Sequence, residues 1–202
     1  MTNDVRRTRL SSDARRRQLL QIGVDMLDEK RLEDLSIDDI AAKAEISRGL
    51  LFHYFASMQD FQVAVATEVM DGLVDRLGAP PRCGAPESRR LERSVEIYVD
   101  YIAERPDLYR SVVRGASSSH ERMRGVAAHT RERIVDIILD DLKARDERGL
   151  AADDVGVRLG AHAWIAMTEE MVARWLDDQV IDRAELVARV IAPLPGLLGM
   201  TG

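Results

Sequence analysis

The chain has 202 residues, 46% of them hydrophobic and 32% charged, with a formal net charge of −6. That is enough for one ordinary domain, or a small one joined to a larger one, without a disulfide or metal staple. Its one cysteine, Cys83, cannot close an intramolecular disulfide, no uncharged apolar run approaches the roughly 18 residues of a membrane span, and the amino terminus lacks a signal-peptide pattern, so a cytoplasmic protein without membrane association is expected.

An acidic balance argues against nucleic acid as a partner, because neutralising phosphates with Lys and Arg supplies most non-specific affinity. The charge is uneven, however. Residues 1–20 hold six arginines (Arg6, Arg7, Arg9, Arg15, Arg16, Arg17) against Asp4 and Asp13, a local balance of +4. Residues 1–55 are neutral overall, so the acidity belongs to the rest, as expected where one end of a molecule approaches an anion.

Taken in chain order, Leu19, Ile22, Met26 and Leu27 predict an amphipathic helix over 12–29. Ser36 caps a short helix with Ile37, Ile40, Ala41 and Ala44 on its buried side, Asp39 completing a shortened capping box. Ser47 caps another over 48–55, and two short helices joined by a tight turn read as a helix-turn-helix. Ser57 with Asp60 opens a long helix to residue 78, carrying Phe61, Val65, Val69, Leu73 and Leu77. The breaker run 78–86 is the expected boundary. Beyond it, a helix through Leu91, Val95, Tyr98 and Ile102 stops at Pro106, and a shorter one through Leu108, Tyr109, Val112 and Val113 ends at Gly115. Ser118 with Glu121 caps a helix that ends near Gly149, and further helices cover 153–178 and 182–192 before Pro193 and Pro195 break the last. No alternating strand pattern occurs. The expected fold is all-α with about nine helices: residues 1–56 a three-helix helix-turn-helix domain, 57–78 a connecting helix, and 79–202 a ligand-binding and dimerisation domain.

The second helix of such a unit lies in the major groove and presents its first residues to base edges. Arg48 can donate twice to guanine O6 and N7, and Gly49 removes a side chain where backbone and phosphate come close. His53 and Tyr54 can reach phosphates, while Leu51 and Phe55 are expected to face the core.

Through Arg16, Leu19-Leu20, Ser36-Ile37, Ile40-Ala41, Ala44, Ile46-Ser47, Arg48-Gly49, Leu51-Phe52, Tyr54-Phe55, Ser57 and Phe61, the chain resembles the TetR family of bacterial transcriptional repressors. The resemblance implies a homodimer on a palindromic double-stranded operator, released by a small-molecule effector, with recognition helices about 34–36 Å apart. It assigns DNA contact to Ser36, Arg48, Leu50, Phe52, His53 and Tyr54, and Arg16, Ser47 and Gly49 are further DNA-binding candidates. The family commonly has Gly, Tyr and Lys where this chain has Glu45, Phe52 and Met58, which removes two phosphate contacts and adds a carboxylate to the turn.

Helix 153–178 sets Trp164, Met167, Met171 and Trp175 on one stripe and Leu159, His162, Ala163 and Ala166 on the next. By resemblance the last two helices form the dimer interface, with Ala163, Trp164, Trp175, Val187 and Ile191 as its candidates. Tyr98, Tyr101, Tyr109, Met123, His129, Met167 and Met171 are candidates for an apolar effector pocket with polar tips, whereas Glu169 and Glu170 read as solvated surface carboxylates. No enzyme motif is present, and no cofactor or metal is expected. His120 and His129, nine residues apart, fall on opposite faces of a helix. The alternatives are an all-α protein–protein interaction module without DNA binding and, less favoured, a regulator sensing redox state through Cys83 beside Arg82.

Overall fold

The computed structural model describes residues 11–79, 89–113, 121–144 and 155–199. Arg6, Arg7, Arg9, Cys83, Ser118 and His120 lie outside them. The described residues contain no strand. They form α1 (Ser12–Met26), α2 (Ile37–Lys43), α3 (Arg48–Tyr54), α4 (Met58–Gly78), α5 (Arg90–Glu104), α6 (Pro106–Val113), α7 (Glu121–Ala144), α8 (Val155–Asp178), α9 (Arg183–Ile191) and a short α10 (Leu194–Leu197), with a 3-10 turn at Leu32–Asp34.

The amino-terminal helices start where short polar side chains take up the first free N–H groups. The Ser11 hydroxyl accepts from Ala14 N, that of Ser36 from Asp39 N, that of Ser47 from Leu50 N and that of Ser57 from Asp60 N. The same serines bond the carboxyl side chains of Asp39 and Asp60, three residues on. Their carboxylates accept from the Ser36 and Ser57 hydroxyls, at 2.7 and 2.8 Å. α1 stops at Met26, short of the expected end, because Leu27 and Asp28 donate three residues back, to Val24 and Asp25, and tighten the chain out of the α-helix. α10 was not expected: Pro193 stands at its N-cap and Pro195 in its first turn, where a missing N–H costs no helical bond.

The chain divides into two compact units, Met1–Glu68 and Val69–Gly202, so the division falls inside α4 rather than in the 78–86 breaker run. The first part of α4 completes the smaller core. Phe61 and Val65 are fully buried beside Gly23 of α1, where an added Cβ would come within 2.6 Å of Val65 and 2.7 Å of Phe61. With Leu19, Ile40, Leu51 and Phe55 they bury the inner faces of α1 to α4. In the larger unit Tyr101 donates to Val69 O of α4 at 2.7 Å, and Arg133 of α7 pairs with Asp71. Trp164 of α8 donates to Val190 O of α9 at 2.7 Å, and Arg183 of α9 forks onto Asp100 of α5 at 2.6 and 2.8 Å.

Candidate nucleic-acid interface

α3 turns a single residue fully inward. Leu51 is buried, Tyr54 is half-buried, and Arg48, Gly49, Leu50, Phe52 and His53 are exposed. Leu50 and Phe52, at 37% and 46% exposure, are among the few large hydrophobic side chains left in water. Tyr54 sets its ring edge-to-face with His53, centroids 5.2 Å apart. Gly49 has open space around it: an added Cβ would meet nothing closer than Ser47 Oγ at 3.9 Å. Glycine inside a helix costs about 0.5–1 kcal/mol relative to alanine, and no packing in this unit requires it.

The turn before α3 is tight. Ile46 N donates to Ala41 O at 3.0 Å, and Glu45 takes a left-handed conformation with φ of 54°. Glycine is at ease there and other residues pay roughly 1–2 kcal/mol, which accounts for the glycine common in the resembling sequences.

Carboxylates hold much of the positive charge on this unit. Arg48 Nε forms an ion pair with the Asp38 carboxylate of α2. Lys30 reaches Asp39 at 2.6 Å, and with the Ser36 hydroxyl it holds the Asp39 carboxyl below its usual pKa. Ser36 is therefore half-buried with its proton committed to Asp39. Arg16 lies exposed with its guanidinium over the Phe55 ring, 5.1 Å from the centroid.

In the larger unit the candidate effector residues separate. Tyr98 and Tyr109 meet in the interior, hydroxyls 2.9 Å apart, and Tyr109 donates on to Glu169 O at 3.2 Å. Burial pushes both phenols well above their ordinary pKa. Tyr101 turns instead to α4, with the Arg76 guanidinium 4.5 Å over its ring. Met123, Met167 and Met171 are half-buried. His129 is exposed on the side of α7 opposite buried Ala127, so it faces water rather than an interior pocket.

Glu169 corrects the reading of a solvated carboxylate. It is 12% exposed and accepts Arg131 Nε at 2.8 and 2.9 Å and Nη2 at 2.8 Å. Burial raises its pKa and Arg131 opposes the rise. Glu170 is the exposed one of the pair, bonded to Arg174 at 2.5 Å. Arg131 carried no signal in the sequence, since its partner lies 38 positions away on another helix.

Two dimer candidates also change place. Trp164 and Val187 are buried in the unit's own core, and the Trp175 indole donates to Ile181 O of the same chain at 2.9 Å. Ala163 is exposed and Ile191 half-buried, and the open side of α8 carries Leu159 and Ala166 as well. Among the described residues no His, Cys, Asp and Glu cluster could hold a metal ion, and no helix is long and apolar enough to cross a membrane.

Comparison with known proteins bears on both units. Residues 19–65 match the family model for bacterial regulatory proteins of the tetR family, and residues 87–193 match that for the tetracyclin repressor-like C-terminal domain. The transcriptional activator FasR of Mycolicibacterium smegmatis is 27% identical over 183 residues, covering 90% of this chain and 82% of the relative. A tetR-family transcriptional regulator from Streptomyces coelicolor superposes with a TM-score of 0.76 at 28% identity, covering 94% of this chain and 82% of that one. The fold is shared by the regulator FadR of Bacillus subtilis, solved with stearoyl-CoA, at a TM-score of 0.64, 19% identity and coverage of 92% and 99%. These proteins are regulators of transcription, not enzymes. With one model spanning the helix-turn-helix and a second spanning over half its length, the chain belongs to the TetR family and is a DNA-binding transcription regulator.

Proposed function

We propose that the protein is a homodimeric repressor that sets α3 of each subunit into the major groove of a palindromic operator and leaves it when a small molecule binds the larger unit. One observation carries the DNA side. α3 leaves Arg48, Leu50 and Phe52 in water around an unfilled Gly49, an arrangement that stabilises nothing within the chain. On a base-pair surface it fits, with arginine on guanine and apolar side chains on thymine methyl groups. Ser47, His53 and Tyr54 flank this strip and fit phosphate oxygens, as does Arg16 once it leaves Phe55.

The subunit partner is a second copy, meeting the open side of α8 at Leu159, Ala163 and Ala166 with Ile191 of α9, small residues that permit close helix packing. The effector reading draws on the buried phenols Tyr98 and Tyr109, on half-buried Met167 and Met171 of α8, and on the neighbour FadR bound to stearoyl-CoA. A ligand releases the operator only by binding the two arrangements of the dimer with different affinity.

Selection from a random duplex pool tests the proposal. It should enrich inverted half-sites about one helical turn apart, and Arg48→Ala should relax one base position per half-site at a cost of about 1–3 kcal/mol. An enriched site without two-fold symmetry, or a preference unchanged by Arg48→Ala, overturns it.

A further inference from the structure

Arg48 is not a free arginine. Its Nε is in ion-pair contact with Asp38 Oδ1, a pair that crosses from the first turn of α2 to the first turn of α3. A guanidinium offers two hydrogen-bonding edges, one including Nε and one made of Nη1 and Nη2 together. A carboxylate paired at Nε lies beside the first and leaves the second free for two parallel N–H donors at the spacing that guanine O6 and N7 accept.

We propose that Asp38 is a positioning residue for base readout: it grips Arg48 by Nε so that the Nη1–Nη2 end meets a guanine. This rests on the reading of α3 as the helix that enters the major groove.

The pair does little for the fold. Both side chains stand in water, Arg48 at 68% and Asp38 at 60% exposure, and ion pairs so exposed add little to stability. Its neighbour Asp39 already serves the α2 cap and Lys30, so Asp38 is not needed there. The frame that brings the two residues together is well fixed, by the Ile46 to Ala41 bond across the turn and by the Ser47 cap on Leu50 N. A long flexible arginine loses rotamer freedom when it docks on a base, and one already held loses less. Asp38 also faces the same way as Arg48, so its negative charge opposes phosphate. A carboxylate that weakens attraction to all DNA while aligning one contact raises the ratio of specific to non-specific binding.

The test uses the full-length protein and the operator enriched from the random pool, with each guanine replaced in turn by 7-deazaguanine, which lacks the N7 acceptor. Wild type should lose about tenfold in affinity at one guanine per half-site, the weight of one bond of a bidentate contact. Arg48→Ala should be indifferent to that replacement. Asp38→Ala should bind random duplex more tightly than wild type, yet show no more than about a third of the wild-type 7-deazaguanine penalty. Asp38→Asn, whose carbonyl still accepts from Nε, should keep most of the penalty while gaining the same non-specific affinity. An Asp38→Ala protein that retains the full penalty overturns the positioning role and leaves the groove reading of α3 intact. If Arg48→Ala instead keeps wild-type sensitivity at every guanine, both fall.

Discussion

Replacing Arg131 by methionine keeps an unbranched apolar stem and removes the cation that Glu169 is buried against. The carboxylate is left 12% exposed with three short bonds to Arg131 gone. Removing one partner of a fully buried pair costs roughly 3–5 kcal/mol, and because Arg131 keeps 29% of its surface in water the loss here is nearer ~2–3 kcal/mol. In a chain of this size that lowers Tm by about 5–10 °C at neutral pH. The dependence on pH has a definite sign. Burial already raises the native pKa of Glu169 above 4.5 against the pull of Arg131, and without Arg131 it climbs further. A carboxyl with a native pKa above its unfolded value holds its proton more tightly when folded. The deficit is therefore full above the native pKa and shrinks as pH falls toward the unfolded one. Thermal unfolding followed by circular dichroism at pH 7.5 and pH 5, with wild type at each pH as reference, reads both effects. A deficit absent at pH 7.5, or the same at both, refutes the account of Glu169 as a buried charge held by one cation.

Two substitutions test close packing and backbone conformation in the same unit. Gly160→Ala would put a Cβ 2.0 Å from Leu197 O, a backbone atom, so it should cost about 1–3 kcal/mol and lower Tm by several degrees; an unchanged Tm would contradict the contact between α8 and α10. Gln179 follows α8 with φ of 44° and donates to Trp175 O at 2.8 Å, so Gln179→Gly should relieve left-handed strain and raise stability by about 0.5–1 kcal/mol after the greater freedom of unfolded glycine is counted. A lower Tm for Gln179→Gly would show that the side chain does more than occupy a strained turn.

The helix starts were legible because their signals are local: Ser36, Ser47 and Ser57 each accept from an N–H three residues on, which sequence spacing alone specifies. The inward places of Leu51 and Phe55 followed from their spacing of four. Periodicity failed where a helix is apolar on two sides. α8 buries Val157, Ala161, Trp164 and Val172 while exposing Leu159, Ala163 and Ala166, and a 3.6-residue period separates those stripes without saying which packs in its own subunit. Trp164 lies on the stripe that packs within its own subunit, where its indole donates to Val190 O. Pairings such as Arg131 with Glu169, and Arg48 with Asp38, depend on how separate helices are laid together, which no local pattern encodes.

The same pairings change what the acidic composition means. Residues 1–68 hold ten basic and twelve acidic side chains, so the unit that meets DNA is itself slightly negative. Lys30, Arg31 and Arg48 are each bonded to a carboxylate of that unit. Phosphate must compete with those carboxylates, and every cation so engaged subtracts from the counterion release that drives indiscriminate binding. Base edges are less affected, since the Nη1–Nη2 end of Arg48 stays open while its Nε is held. On the proposed readout, a helix-turn-helix of this charge gives up affinity for DNA in general and retains it where a guanine meets Arg48, and selectivity follows from that difference.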